Sequence, residues 1–283
     1  MVGCRALGSA PTRPARARRP AVVPPTGDGE GLIDAHAHLT DARFSGDLGA
    51  VITRARDAGI SRILTCGEDI RTSAGAVAIA RAHDIVRVAV GVHPHRAASL
   101  DKEALSALAA LAADERVVAI GEIGIDLSGR SAALEVQERA FLLQLDLAAA
   151  LGLPVVVHIR DAGDTVRALF DGRDGPVRGQ LHCYSEGPEE LAGWRARGLV
   201  PSFAGPVTYP ANARLRAAAA ADGPLLVETD APSLAPEGHR GTRNEPAFVA
   251  ATYARLALER RMTLAALVAE TEATARALFG PGW

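Results

Sequence analysis

His36 and His38 lie two positions apart in the segment IDAHAHLTD, residues 33–41. Side chains at positions i and i+2 of a β-strand point to the same side, so both imidazoles could bind one metal ion from the end of a strand. Taken alone, the pair is more simply explained as two unrelated histidines. It gains meaning only if further metal-binding side chains occur elsewhere in the chain.

A carboxylate interrupts an apolar run in AIGEIGIDL, residues 119–127. Glu122 follows residues typical of a buried strand, where a carboxylate is costly unless it is paired or bound to a metal. Gly121 and Gly124 leave space for other groups to approach closely. The alternative is a surface glutamate in a loop.

Two further histidines each end an apolar strand. They are His158 in PVVVHIRDA and His182 in QLHCYS. One such histidine is more often a satisfied core residue than a metal ligand. Two of them, together with His36, His38 and Glu122, reverse that expectation.

The last apolar run of this kind, in LLVETDAPSLAP, ends in Glu228 and Asp230. Asp230 is a hard oxygen donor that could bind a metal and accept a proton from water. We expect Glu228 to act as a hydrogen-bonding neighbour of the site.

These side chains comprise four imidazoles and two carboxylates: His36, His38, Glu122, His158, His182 and Asp230. Mixed nitrogen and oxygen donors suit zinc, manganese or a similar ion. Six donors are too many for one tetrahedral zinc with an open position, but they suit two ions that share a carboxylate. Such a pair of ions is suited to hydrolysing a phosphodiester.

The elements that must position these residues alternate between short β-branched runs and Ala/Leu-rich amphipathic stretches. Helices are predicted at Gly49–Ala58 and Leu134–Leu151. The predicted strands are Gly31–Ala35, Ser61–Cys66, Ile85–Gly91, Val117–Gly121, Val155–His158, Gly179–His182, Leu199–Phe203 and Pro224–Glu228.

Eight strands with helices between them predict an α/β fold, a TIM-type (β/α)8 barrel in a single domain over residues 31–283. That length is close to the roughly 250 residues typical of the fold. A doubly wound open sheet is the competing architecture, but it gathers its site at one switch point. The candidate ligands follow five different strands, which favours the barrel.

Composition limits the remaining possibilities. A net charge of −2 provides no overall basic field for nucleic acid, so any contact must come from a local patch. The three cysteines are widely spaced and odd in number, which argues against a disulfide framework and favours the cytoplasm. No apolar run reaches the roughly 18 residues of a membrane-spanning helix. The Arg- and Pro-rich residues 1–30 are predicted to be a disordered tail, with a targeting segment as the less favoured alternative.

In this order, the motifs resemble the TatD-like family of metal-dependent deoxyribonucleases, which belongs to the amidohydrolase-like metal barrels. The resemblance runs from about residue 32 to about residue 279. It also includes GVHPH at 91–95, PSFAGPVTY at 201–209 and RNEP at 243–246. It implies DNA or another phosphodiester as substrate, hydrolysed with two divalent ions of Mg, Mn or Zn. It leaves the oligomeric state open.

The resemblance also implies individual roles. His36, His38 and Asp230 would hold the first ion, and His158 and His182 the second, with Glu122 bridging them. Asp230 would orient or deprotonate the attacking water. For substrate binding, the candidates are His93 and His95, which could meet phosphate or transfer a proton at the mouth of the site, and Arg160, which could clamp a phosphate. An ion pair of Arg160 with Asp161 or Asp164 is an equally good interpretation.

Three segments depart from the family pattern. Leu127 stands where an aromatic residue is frequent, Glu186 replaces a glycine in HCYSE, and the C-terminal TEATARALF lacks a frequent asparagine. None of these changes removes a candidate ligand. An added acid at the mouth could disfavour a polyanion, which leaves the substrate class open.

Three functions therefore compete. A deoxyribonuclease acting on DNA ends or single strands is the leading hypothesis. The same ions could instead hydrolyse an ester or amide, as in deacylation of D-aminoacyl-tRNA. A binding protein without catalysis is disfavoured, because unused buried acids and imidazoles would be a needless cost.

Overall fold

The computed structural model describes residues 31–129, 131–173 and 177–283. The prediction of a disordered tail falls on residues 1–30 and lies outside the described residues. None of the described helices is both long and apolar enough to cross a membrane.

The described chain forms eight strands and nine α-helices. The strands are Leu32–Ala37 (β1), Ile60–Cys66 (β2), Val86–Val90 (β3), Val117–Asp126 (β4), Val155–Arg160 (β5), Gly179–Leu181 (β6), Leu199–Phe203 (β7) and Leu226–Val227 (β8). The helices are Leu48–Asp57 (α1), Ile70–Ala82 (α2), Lys102–Leu111 (α3), Leu134–Leu151 (α4), Gly163–Asp171 (α5), Leu191–Ala196 (α6), Ala213–Ala220 (α7), Val249–Glu259 (α8) and Leu264–Phe279 (α9).

All eight strands pair in parallel and in sequence order, from β1 to β8. A parallel bridge between Ala37 and Ala231 joins the last strand region to the first. The predicted (β/α)8 barrel is thereby confirmed, and the open doubly wound sheet is excluded. Because helices cover the outside, strands such as β4 are buried along their whole length.

Local sequence explains where several helices begin and end. Asp69 and Thr72 form a reciprocal capping box at the start of α2, and the side chain of Thr263 accepts a hydrogen bond from the first turn of α9. Helix α4 has the bounds predicted from the sequence and ends at Gly152, which adopts the left-handed conformation.

Strand β4 departs most from the predicted bounds. It was expected to end at Gly121, but it continues through Glu122 to Asp126 because Ile123 and Ile125 keep alternate positions apolar and buried. Strand β5 likewise continues to Arg160, whereas β8 is only two residues long. Glu122 therefore lies inside a buried strand and not in the loop that follows it.

Candidate metal centre

The joint between β1 and β8 brings three predicted ligands together. The Nε2 atoms of His36 and His38 lie 3.1 Å apart. Asp230 Oδ1 lies 3.8 Å from His36 Nε2 and 3.4 Å from His38 Nε2. The backbone N–H of Asp230 also donates to the carbonyl of His36 at 3.0 Å, so the hydrogen bonds that close the barrel fix this geometry.

Glu122 lies at the centre of the cluster with 1% of its surface exposed. Its Oε2 atom is 3.4 Å from the Nε2 atoms of both His36 and His38. Its Oε1 atom faces the other way, 2.7 Å from His158 Nδ1 and 3.6 Å from His182 Nε2. The two oxygens of one carboxylate thus face different histidines, and His182 lies between the two sides because its ring also stacks on that of His36.

Close packing of β4 against its neighbour makes this position possible. A Cβ added to Gly121 would lie 2.6 Å from Cβ of Val156, and one added to Gly124 would collide with the carbonyl oxygen of His158. Both glycines therefore allow the close approach expected from the sequence. A larger residue at either glycine would push β4 away from β5.

Neighbouring side chains orient the imidazoles. The Nδ1 atom of His182 lies 2.8 Å from Oε1 of Glu228, and that same oxygen accepts the backbone N–H of Cys183 at 2.9 Å. Gln180 donates to the other oxygen of Glu228 at 2.8 Å. The Sγ atom of buried Cys66 lies 3.4 Å from Nδ1 of His36. Such contacts fix which ring nitrogen points into the cluster.

Two candidates for substrate binding, His93 and His95, differ in how deeply they are buried. His93, expected at the mouth, is 5% exposed, and its Nε2 atom is 3.5 Å from Oε1 of Glu122. It therefore sits among the potential metal donors, in one group with Glu122 and His158. The His95 side chain is 38% exposed and does lie at the surface of the site.

Arg160 is exposed at the end of β5. Within the described part of the chain it forms no ion pair with Asp161 or Asp164, and Asp164 instead pairs with Arg167 at 2.9 Å. The ion-pair interpretation of Arg160 is therefore wrong. A phosphate-binding role stays a prediction.

Asp126 was not selected from the sequence, although it is buried and links two histidines. Its Oδ2 atom is 2.8 Å from His95 Nε2 and 3.3 Å from His158 Nε2. The signal was present, since an acid at the end of an apolar run needs a partner for the same reason as Glu122. The predicted strand end at Gly121 concealed it by placing Asp126 in a loop.

The charges within the cluster strongly shift the pKa values of two of its histidines, His38 and His182. Burial disfavours a charged His38, but the hydrogen bond to Asp230 and the negative charge of Glu122 outweigh burial and raise the pKa of His38 to about 9. Burial is likewise outweighed at His182, where the charges of Glu228 and Glu122 raise the pKa to about 10.

The acids shift in the opposite direction. Burial alone would raise the pKa of Glu122, but the surrounding imidazoles hold it well below its usual range. The pKa of Asp230 is lowered in the same way, chiefly by its hydrogen bond with His38. The carboxylates are therefore ionised at neutral pH and attract positive charge.

The donors fit a bound metal. Oε2 of Glu122 is buried and has no hydrogen-bond partner among the described residues, and the same is true of Nδ1 of His38. An unpaired buried carboxylate oxygen is costly, and a cation among the facing nitrogens would satisfy it. Neutral imidazoles and carboxylates are ligands that suit zinc and manganese.

A cavity of about 510 Å³ opens beside His182. It lies between the N-terminal turn of α5 and the loop after β6, which carries Glu186. The Glu186 carboxylate accepts the indole N–H of Trp194 at 2.6 Å and pairs with Arg167 at 3.3 Å. The acid that departs from the family pattern is thus held by two partners on the cavity wall.

Comparison with known proteins places the chain in a family. A family model described as TatD related DNase matches residues 33–280. The metal-dependent hydrolase YabD of Bacillus subtilis is 34% identical over 252 residues, which cover 88% of this chain and 98% of YabD. The 3'-5' ssDNA/RNA exonuclease TatD of Escherichia coli K12 is 34% identical over 258 residues, with coverage of 88% and 99%.

A solved structure gives the same result. The crystal structure of YJJV, a TatD homologue from Escherichia coli K12, matches with a TM-score of 0.83 at 30% identity, over 88% of this chain and 97% of YJJV. Sequence and fold agree over nearly the same stretch. The chain therefore belongs to the TatD-related DNase family of metal-dependent hydrolases.

Proposed function

We propose that the chain hydrolyses phosphodiester bonds in single-stranded DNA from an end, with RNA as a second substrate, using two divalent ions. The observation that carries the proposal is the position of Glu122, whose two oxygens face separate sets of nitrogen donors. Relatives named as ssDNA/RNA exonucleases support this choice of substrate.

In this proposal the donors divide into two sets around Glu122. His36, His38 and Asp230 would hold one ion, and His158 and His182 would hold the other. His93 is a further donor on the second side, since its Nε2 atom lies near the same carboxylate oxygen. When bound, such ions act as Lewis acids toward a phosphate and lower the pKa of water.

The chain's own residues supply the remaining chemistry. Asp230 is ionised and belongs to the first set of donors, so it would orient the attacking water and accept its proton. His95 is exposed at the site and is oriented by Asp126, which suits it to give a proton to the leaving oxygen. Arg160 offers a guanidinium to the phosphate from the end of β5.

The test is a substrate panel on metal-depleted protein. We expect no hydrolysis of single-stranded DNA in EDTA and full recovery with Mn²⁺ or Mg²⁺. The panel also contains RNA, D-aminoacyl-tRNA and a simple phosphodiester. Cleavage of D-aminoacyl-tRNA in preference to DNA would identify an ester hydrolase. Hydrolysis that continues unchanged in chelator would refute metal catalysis.

Action in a reducing cytoplasm stays part of this proposal. It is supported by the sparse cysteines and by Cys66 and Cys183, which are free thiols. A disulfide found in the isolated protein would count against it.

A further inference from the structure

The cavity beside His182 is suited to a part of the substrate that carries no phosphate. Its volume of about 510 Å³ falls within the range of small-molecule sites, roughly 300–1,000 Å³. His182 forms one wall and belongs to the candidate metal centre, so a group bound in the cavity lies next to the bond proposed to be cleaved. The inference therefore rests on the proposed function.

The charges that line the cavity disfavour an anion. Its walls include the carboxylates of Asp161, Asp164 and Glu186, and the guanidinium groups of Arg167 and Arg214. Arg167 lies 2.9 Å from Asp164 and 3.3 Å from Glu186, and Arg214 pairs with Glu189. Both arginines that line the cavity are thus already neutralised.

Glu186 occupies a place that favours an anion. A Cβ added to Gly163, the first residue of α5, would collide with Oε1 of Glu186, so this carboxylate sits against the positive end of the helix. The same carboxylate accepts the Trp194 indole N–H and pairs with Arg167. Helix end, indole and guanidinium are all groups that attract anions, and Glu186 bonds to the last two while it lies against the first.

Asp161 offers the cavity an unused acceptor. It is exposed, lines the cavity and has no ion-pair or hydrogen-bond partner for its carboxylate among the described residues. Its backbone adopts the left-handed conformation, φ 55°, which is uncommon for a residue with a side chain and is frequent at binding sites. Carboxylates accept hydrogen bonds from the exocyclic amino groups of nucleobases, as they do from N4 of cytosine.

We propose that this cavity receives the base of the terminal nucleotide, that Asp161 favours a base with an exocyclic amino group, and that Glu186 keeps phosphate out. The phosphate of the same nucleotide then remains at the metal centre. Glu186 and Asp161 are specificity residues and take no part in the cleavage step.

Binding is measured without metal, so the test does not depend on turnover. The chain has two tryptophans, and the variant Trp283→Phe leaves only Trp194, whose buried indole N–H donates to Glu186 on the cavity wall. In EDTA, we expect deoxycytidine to shift the Trp194 indole resonance at a concentration about tenfold lower than thymidine, because thymine lacks the amino group. Inorganic phosphate should leave the resonance in place.

Two variants separate the roles of the acids. In Glu186→Gln, whose amide oxygen can still accept the indole N–H, we expect inorganic phosphate to bind and shift the Trp194 resonance. In Asp161→Asn, the amide can accept from N4 of cytosine or donate to O4 of thymine, so deoxycytidine and thymidine should bind equally. The matched control is Asp171→Asn, which removes one charge at the far end of α5, outside the cavity lining, and should behave as the parent protein.

Phosphate binding to the parent protein as tight as that of deoxycytidine, or no shift with either nucleoside, would overturn the proposal. A separate hydrolysis assay, with metal present, then compares single-stranded DNA substrates that differ only in their terminal base. Equal rates for all four bases without nucleoside binding refute the cavity proposal and leave the proposed function intact. Nucleoside binding with no hydrolysis of any strand refutes the proposed function and supports the cavity assignment.

Discussion

Glu122 is an ionised carboxylate that is almost completely removed from water, and its cost must be offset by nearby positive charge. Without a metal, protonated His38 and His182 supply that charge, since their pKa values are raised to about 9 and about 10. A metal ion and these protons therefore compete for the same carboxylates.

This competition predicts that metal binding releases protons. Below pH 9 both imidazoles are protonated in the metal-free protein and must lose their protons to bind a metal, so metal affinity should increase as the pH is raised from 6 to 9. Isothermal titration calorimetry at pH 7, in buffers with different ionisation enthalpies, counts the protons released. We expect about two per protein, and a count of zero would contradict the pKa assignment.

Single substitutions should distinguish the centre of the site from its edge. Glu122→Ala removes the group between the two donor sets and should abolish both turnover and metal retention. His95→Ala removes only a proton donor at the surface, so turnover should fall on the order of 10²-fold while metal content is unchanged. Turnover and bound metal are measured on the same preparations. Equal, small losses in the two variants would count against a central role for Glu122.

At the scale of elements, helix α4 positions two functional segments through buried glutamines. Gln144 accepts the backbone N–H of Val92 at 2.7 Å and donates to its carbonyl at 3.0 Å. Two turns earlier, Gln137 makes the same pair of bonds with the backbone of Asp126, at 2.9 Å and 3.1 Å. One helix thus fixes the loop that carries His93 and the end of β4.

Replacing one glutamine tests this arrangement. Gln144→Leu keeps the side-chain size but leaves the Val92 N–H and carbonyl unpaired and buried, which should reduce the free energy of unfolding by about 1–3 kcal/mol. Turnover should also fall, because Val92 precedes His93. Urea denaturation gives the first quantity, and Arg139→Leu on the exposed side of α4 is the matched control. Identical unfolding curves for the two variants would contradict the role of Gln144.

At the scale of the whole molecule, the candidate site lies on the joint that closes the barrel. Thr229 donates from its backbone N–H and its hydroxyl to the two oxygens of buried Asp34, at 2.8 Å and 2.6 Å. The N–H of His38 donates to the carbonyl of Ala231 at 2.7 Å. A cation held by His36, His38 and Asp230 would therefore add a further link between the first and last strands.

Metal should accordingly stabilise the entire fold. A ligand that binds only the native state at 100 times its Kd contributes about 2.7 kcal/mol, which corresponds to an increase in Tm of roughly 5–10 °C for a domain of this size. Thermal unfolding in EDTA and in saturating Mn²⁺ measures the difference. In the variant Glu122→Ala, the difference in Tm between EDTA and Mn²⁺ should be small. An unchanged Tm in the parent protein would mean that metal does not bridge the joint.

The sequence by itself determined the barrel and six of the residues that meet at its rim. Strand periodicity and the spacing of His36 and His38 are local properties, because the geometry of a strand dictates which neighbours share a face. Burial of an acid is local in the same sense, since an apolar run on both sides of Glu122 already implies that the carboxylate needs a partner. Eight such runs separated by helical stretches left few architectures to consider.

Only the tertiary structure decided which partner each group has. Asp126 joins His95 to His158, and His93 is buried beside Glu122. Trp194 and Arg167 hold Glu186 on the cavity wall. All these contacts join separate strands and loops. Such contacts depend on how closely two backbones approach and on how the barrel closes. The spacing of residues along one strand encodes neither the approach of two backbones nor the closure of the barrel. The candidate metal-binding side chains could therefore be predicted, but the hydrogen-bond network that orients them could not.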